Sequence, residues 1–151
     1  MRGRLRSIVL LAVVLAGGDL AVAKWAMHHH PGFDHHRSVG WVTLSLGVFL
    51  FCAVLARVPS RLLALGCGLQ AGGTLGNLLW AVTHHRVVSN SFVLQGSEGG
   101  IAFTLGDVFV LLGILVIVVG SMRMTIRHRH LLPQSTVTVR LFRRLAVACR
   151  R

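Results

Sequence analysis

Gly99-Gly100-Ile101-Ala102-Phe103-Thr104-Leu105-Gly106-Asp107 opens an apolar stretch that continues through Val108 to Gly120. A membrane-spanning helix needs about 20 predominantly apolar residues, and this stretch supplies them. Asp107 is the exception inside it. A carboxylate costs roughly 2.5–3.5 kcal/mol at the centre of a membrane helix on insertion scales, so one retained there points to a function. The alternative is a tolerated polar residue close to the membrane surface.

Three further apolar stretches precede it, and together the four predict spans over Ile8 to Met27, Val39 to Ala56, Leu62 to Val82 and Ile101 to Met122. The 151 residues are 54% hydrophobic, which is the composition of a membrane protein rather than a soluble domain. The expected fold is all-α: one four-helix membrane domain over residues 1–122, followed by a basic tail over 123–151. Helices satisfy their backbone polar groups internally, as a lipid environment demands.

The net charge of +12 raises the question of nucleic acid, but its distribution answers against it. Arg2, Arg4 and Arg6 precede the first span, Arg57 and Arg61 flank the second connection, and eight arginines from Arg123 to Arg151 follow the fourth span. The other two connections carry only Arg37 and Arg86, with Lys24 near the end of the first span. The positive-inside rule therefore predicts both termini in the cytoplasm. Membrane lipids are the expected partner of the tail, where Val139 to Arg151 reads as an interfacial amphipathic helix. The N-terminus has a second reading. Its arginines and Ile8 to Ala16 have the form of a signal peptide with Ala21-Val22-Ala23 at the cleavage site, which would leave three spans.

Polar residues recur inside the spans. Asp19 and Lys24 lie five positions apart on the first, about 500° of helix rotation, a poorer pairing than three or four positions gives. The third span places small residues four apart at Gly68, Gly72 and Gly76, a spacing that lets helix backbones approach closely, with Asn77 next. At about 1.5 Å per residue, Asp19 lies roughly 12 Å, Asn77 about 8 Å and Asp107 about 9 Å from the outer ends of their spans. Asp19, Lys24, Asn77 and Asp107 are thus expected at similar depth in the outer half of the membrane. They either line a shared outward-facing cavity or satisfy one another without one.

The first outer connection holds His28, His29, His30, His35 and His36 with Asp34, and the second adds His84 and His85. Imidazole suits Zn²⁺, Ni²⁺ or Cu²⁺, but clustering alone supplies no fixed geometry. A polar, pH-sensitive loop is the competing reading. Thr83 to Gly100 is the longest connection; within it Val87-Val88 and Ser91 to Leu94 read as a short extended segment over the outer surface, and Gln95 to Gly100 as a turn into the fourth span. Cys52, Cys67 and Cys149 show no ligand spacing and read as small apolar residues in the spans and a thiol in the tail.

Two motifs now carry a resemblance. Gly72-Gly73-Thr74-Leu75-Gly76-Asn77-Leu78-Leu79 is similar to the Gly-Gly-Ala-Leu-Gly-Asn-Leu-Ile segment of signal peptidase II, the lipoprotein signal peptidase. Phe103-Thr104-Leu105-Gly106-Asp107 is similar to its Phe-Asn-x-Ala-Asp segment. Between them, Arg86-Val87-Val88-Ser89 resembles Gly-x-Val-Val-Asp, and Asp19 with Lys24 loosely resembles Asp-x-x-x-Lys with one residue too many. The resemblance implies a four-span aspartic endopeptidase of the bacterial inner membrane, without a cofactor, whose partners are lipid-modified precursor proteins. Two close carboxylates there divide acid and base roles because they cannot both ionise.

The departures bear on activity. The resemblance implies Asp107 as one catalytic aspartate, and the other three residues after Asn77, where Trp80 stands; the following arginine falls on Ala81. Thr104 replaces an asparagine, and His28 to Ser38 is too short for the family's substrate-cradling sheet. Asn77 remains as a substrate-side polar group, and Asp19 is the candidate substitute carboxylate, with Lys24 expected to hold a carboxylate ionised and hinder proton sharing. Three readings stay open: a peptidase-like protein with impaired or lost activity, an active peptidase using Asp107 and Asp19, and a histidine-rich metal-binding or pH-sensing membrane protein.

Overall fold

The computed structural model describes residues 2–29, 33–96 and 99–129. The chain divides into two compact units, Met1–Gly120 and Ser121–Arg151. The amphipathic helix expected at Val139 to Arg151 lies outside the described residues, as do Cys149 and His30.

Most of the first unit is helical. Its elements are α1 (Arg2–His29), β1 (Phe33–His36), α2 (Val39–Leu55), α3 (Arg61–Thr83), β2 (Val87–Asn90), β3 (Phe92–Gly96), β4 (Gly99–Phe103) and α4 (Leu105–Arg127), the last running on into the second unit. Among the described residues, three helical segments are long and apolar enough to cross a membrane: Gly3–His28, Arg61–Thr83 and Leu105–Arg127. α2 is a shorter apolar helix of 17 residues, the lower limit of what spans a bilayer. The chain is a membrane protein with lipid-facing helices. Val9, Leu10, Val13 and Val14 on α1 are exposed, as are Leu44 and Leu50 on α2 and Leu111 and Leu115 on α4.

Local chemistry sets the helix starts. Ser38 caps α2 by accepting the Trp41 N–H at 3.2 Å. Ser60 caps α3 by accepting the Leu63 N–H at 3.4 Å, directly after Pro59. Arg4 Nη1 donates to the Val58 carbonyl at 2.7 Å and ties α1 to the α2–α3 turn.

α3 is the central helix and the most buried of the three long ones. Its glycines explain the arrangement. A Cβ on Gly68 would lie 2.6 Å from Leu11 Cδ2, and one on Gly72 would lie 2.8 Å from Leu15 Cβ, so this stripe seats α1. Another face of α3 meets α4, where Gly73 lies against the Gly106 carbonyl and a Cβ on Gly113 would lie 2.6 Å from the Gln70 nitrogen. Small residues remove the side-chain layer, and close van der Waals packing then holds the helices where lipid gives little hydrophobic drive. Cys52 and Cys67 are buried free thiols, on α2 and α3.

Two short antiparallel sheets correct the sequence reading. β1 pairs with β2 in the register Phe33↔Asn90 to His36↔Val87. The first connection, expected to be too short for a sheet of its own, contributes one strand, because its four strand residues pair across the chain with β2. β3 pairs with β4 from Phe92↔Phe103 to Gly96↔Gly99, with the two phenyl rings stacked at 5.5 Å. Gly99–Phe103, including the start of the expected fourth span at Ile101, is therefore strand, and the helix begins only at Leu105.

Gly72→Val forces side-chain atoms into the α1 contact and is expected to destabilise the protein by about 1–3 kcal/mol. Gly47→Ala on the open face of α2, where a Cβ meets nothing within 4 Å, should be neutral or stabilising by up to about 1 kcal/mol. Thermal unfolding of both variants in detergent checks the contrast.

Candidate functional site

An α-helix leaves its first N–H groups without partners, and a helix that starts inside a bundle must find them acceptors. α4 starts this way. Thr104 is its N-cap and Asp107 stands three residues on. The Thr104 hydroxyl accepts the Asp107 N–H at 3.0 Å, and Asp107 Oδ2 accepts the Thr104 N–H at 3.0 Å. This reciprocal pair is a capping box. It also explains Thr104, since asparagine and threonine are both good caps. The replacement noted in the sequence therefore retains a role.

The box is extended sideways by α3. Asn77 Nδ2 donates to Asp107 Oδ1 at 2.9 Å, while Asn77 Oδ1 accepts the Thr104 hydroxyl at 2.9 Å. α1 completes it: Asp19 Oδ1 accepts the Gly106 N–H at 2.6 Å. Asp19, Asn77 and Thr104 are buried, whereas Asp107 is half-buried. Close approach is possible because two neighbours lack side chains. A Cβ on Gly76 would collide with Asp19 Oδ2, and one on Gly106 would lie 2.9 Å from the same oxygen and 3.2 Å from Asn77 Nδ2. Residues from three helices and a strand end thus converge on one helix N-terminus, where partial positive charge favours carboxylates.

Three of the four polar residues expected at one depth are brought together, namely Asp19, Asn77 and Asp107. They bond to one another or to the α4 N-terminus. Lys24 is not among them. It is exposed, while Asp19 is 2% exposed, because five helical positions turn Lys24 about 140° away from Asp19. The expected interference of its ammonium with the carboxylates therefore finds no geometry. Trp80 is also placed elsewhere in its packing. It is buried in an apolar cluster with Ala23, Ala81 and Val88, against Leu20 and Trp41, and its ring stacks on His84 at 4.1 Å.

The histidines are dispersed over three elements. His28 lies on α1, His35 and His36 on β1, and His84 and His85 in the turn after α3; all five are exposed. Neighbouring strand residues face opposite sides, which separates His35 from His36. Among the described residues, no three His, Cys, Asp or Glu side chains form a group that could hold a metal ion. The side chains of His29 and Asp34 lie outside that description, with His30.

Thr104 and Gly106 are the site residues that sequence reading missed as partners. The signal for Thr104 was present: Ser/Thr-x-x-Asp/Glu before an apolar run is the capping-box pattern. Gly106 had no signal of its own, since its role depends on the approach of Asp19 from a helix 87 positions away in sequence.

No family model matches the chain, and no curated protein matches it. A solved structure described as a bacterial membrane enzyme is similar to it, with a TM-score of 0.60 and 16% sequence identity. The likeness covers 80% of this chain and 90% of that one. Identity at this level shows the likeness of fold alone.

Thr104→Val removes the cap acceptor and orphans Asn77 Oδ1, and should cost about 2 kcal/mol. Thr104→Ser should stay close to the parent. Hydrogen exchange at the Gly106 and Asp107 amides, read beside the unfolding temperature, should accelerate in the first variant and not in the second.

Proposed function

We propose that this chain is a divergent signal peptidase II-like protein that has lost peptidase activity, wholly or nearly so, and retains the fold to bind lipid-modified precursor proteins. It would cross the bacterial inner membrane four times with both termini in the cytoplasm, over a membrane domain of residues 1–122 and a basic tail of 123–151. The arginine distribution supports that topology.

The observation that carries this reading is the use of Asp107. One of its oxygens closes the capping box and the other holds Asn77, so the carboxylate is committed to the helix start and its neighbour. Two positions at which the resembled motifs carry aspartate, Trp80 and Ser89, have none here. Trp80 can only donate a hydrogen bond through its indole and has no basic group. A single carboxylate acting as general base is worth about 10²–10⁴-fold, well short of what amide hydrolysis requires.

A second reading is favoured by one contact. The Asp19 carboxylate accepts the N–H of Gly106, the residue next to Asp107, so two acids from different helices meet at the same turn. In that reading the pair divides acid and base roles and cleaves a prolipoprotein just before its lipidated cysteine, with Asn77 and Thr104 orienting Asp107. The exposed position of Lys24 leaves the pair without a competing ammonium.

Purified full-length protein incubated with a diacylglyceryl-modified prolipoprotein peptide separates the two. The leading reading expects binding without turnover, and Asp107→Asn indistinguishable from the parent in product formed. Efficient cleavage that disappears in Asp107→Asn refutes it. The dyad reading then expects Asp19→Asn, which keeps an oxygen for the Gly106 N–H, to lower turnover at least about 10²-fold as well. Unchanged turnover in Asp19→Asn removes the dyad.

A further inference from the structure

All three tryptophans lie at one end of the helices. Trp25 is four residues from the end of α1, Trp41 is the third residue of α2, and Trp80 is three residues from the end of α3. Trp80 is buried, but Trp25 is exposed and Trp41 partly so, and tryptophan at the surface of a membrane helix concentrates at the membrane–water boundary, which puts this end of the helices at the lipid headgroups. β1 and β2 lie at the same end, together with Arg37 and Arg86.

The backbones of these two arginines are held side by side. The Arg37 N–H donates to the Arg86 carbonyl at 2.8 Å, which continues the β1–β2 ladder one step beyond the His36↔Val87 pair. Arg86 is fixed in turn by its own N–H, which donates to the Ala81 carbonyl at 2.6 Å. His85 and Arg86 adopt φ values of 52° and 67°, a left-handed conformation that two successive non-glycine residues rarely take. Such strain persists only where surrounding contacts impose it. The Arg37 guanidinium lies 5.1 Å from the centre of the Trp41 ring, yet its Nε is buried and has no hydrogen-bond partner. A buried donor without an acceptor is costly, and an oxyanion delivered to it recovers that cost.

We propose that Arg37 and Arg86 bind the phosphate of an anionic phospholipid headgroup, with the buried Arg37 Nε–H as a donor and Trp41 as the wall beside it. Guanidinium suits phosphate because its fork of N–H groups matches two oxygens at once. Lipid is the source that fits, rather than free phosphate, because the apolar surface continues below the site. Val39 is 65% exposed and Leu44, one turn beyond Trp41 on α2, is 68% exposed, so an acyl chain has a face to follow. Against the two arginines and the four histidines of β1 and the α3–β2 turn, those segments carry one acid, Asp34. The site does not depend on the proposed function; it requires only that this end of the helices sits at the membrane surface.

Trp41 provides the readout. The full chain is reconstituted in phosphatidylcholine vesicles that contain equal fractions of acyl-brominated phosphatidylglycerol or acyl-brominated phosphatidylcholine. Quenching at Trp41 is taken as the difference between each protein and its Trp41→Phe counterpart. The expected result is a preference for phosphatidylglycerol on the order of five-fold, abolished in Arg37→Gln and reduced in Arg86→Gln. The second variant alters only an exposed side chain, so misfolding does not imitate its effect. Equal quenching by the two lipids in the parent overturns the proposal. So does a preference that survives intact in Arg86→Gln, or one displaced by millimolar inorganic phosphate, which would make the occupant a free anion.

Discussion

The start of α4 is the constraint on which the first unit depends. A helix that begins within a membrane bundle exposes N–H groups where water does not supply acceptors, and each one left alone is expensive. Here the acceptors come from α1, from Thr104 between β4 and α4, and from α4 itself, while Asn77 of α3 locks the arrangement from the side. Displacing α3 costs both bonds of Asn77, and displacing α1 costs the bond from the Gly106 N–H to Asp19. The glycines belong to the same constraint. Asp19 reaches the Gly106 N–H only because Gly76 and Gly106 have no Cβ in its path.

One cluster therefore serves both folding and any chemistry. A carboxylate whose lone pairs already accept backbone and amide N–H groups is well positioned and poorly available. Asp107 retains some exposure, whereas Asp19 is closed off. Of the two acids, only Asp107 has a side open to an incoming group, and it is also the one with more hydrogen bonds to lose. A reaction here would have to work with Asp107 partly released from the capping box, at the expense of the helix start.

The helices were legible in sequence because length and apolar composition suffice for them, and α2 and α3 begin within a residue of expectation. The glycine spacing on α3 was legible as a close-approach face, although not that Gly73 serves a second helix. Of the strands, β2 and β3 were legible as an extended segment, while β1 and β4 were not. Gly99–Phe103 is as apolar as the helix it precedes, so composition joins it to the span, and only its pairing with Phe92–Gly96 separates them. β1 had no alternating pattern, and its partner is more than 50 residues away. At the site, counting along the helices grouped Asp19, Asn77 and Asp107, which the structure brings to one helix start. The count wrongly added Lys24, because depth carries no information about which face a residue occupies.

The glycine and polar positions also limit what the family-like motifs can say about activity. Gly72, Gly73 and Gly76 are demanded by the contacts of α3 with Leu15, the Gly106 carbonyl and Asp19. Asn77, Thr104 and Asp107 are demanded by the N-terminus of α4. A chain that abandoned catalysis would still be held to these residues by stability alone. The positions free of that demand are the informative ones. Trp80 sits in an apolar cluster that asks for bulk and not for charge. Ser89 is buried on β2, where a short hydroxyl suffices for the strand. At Trp80 and Ser89, where the described packing does not call for a carboxylate, the chain has none, and that asymmetry is the support for the proposed reading.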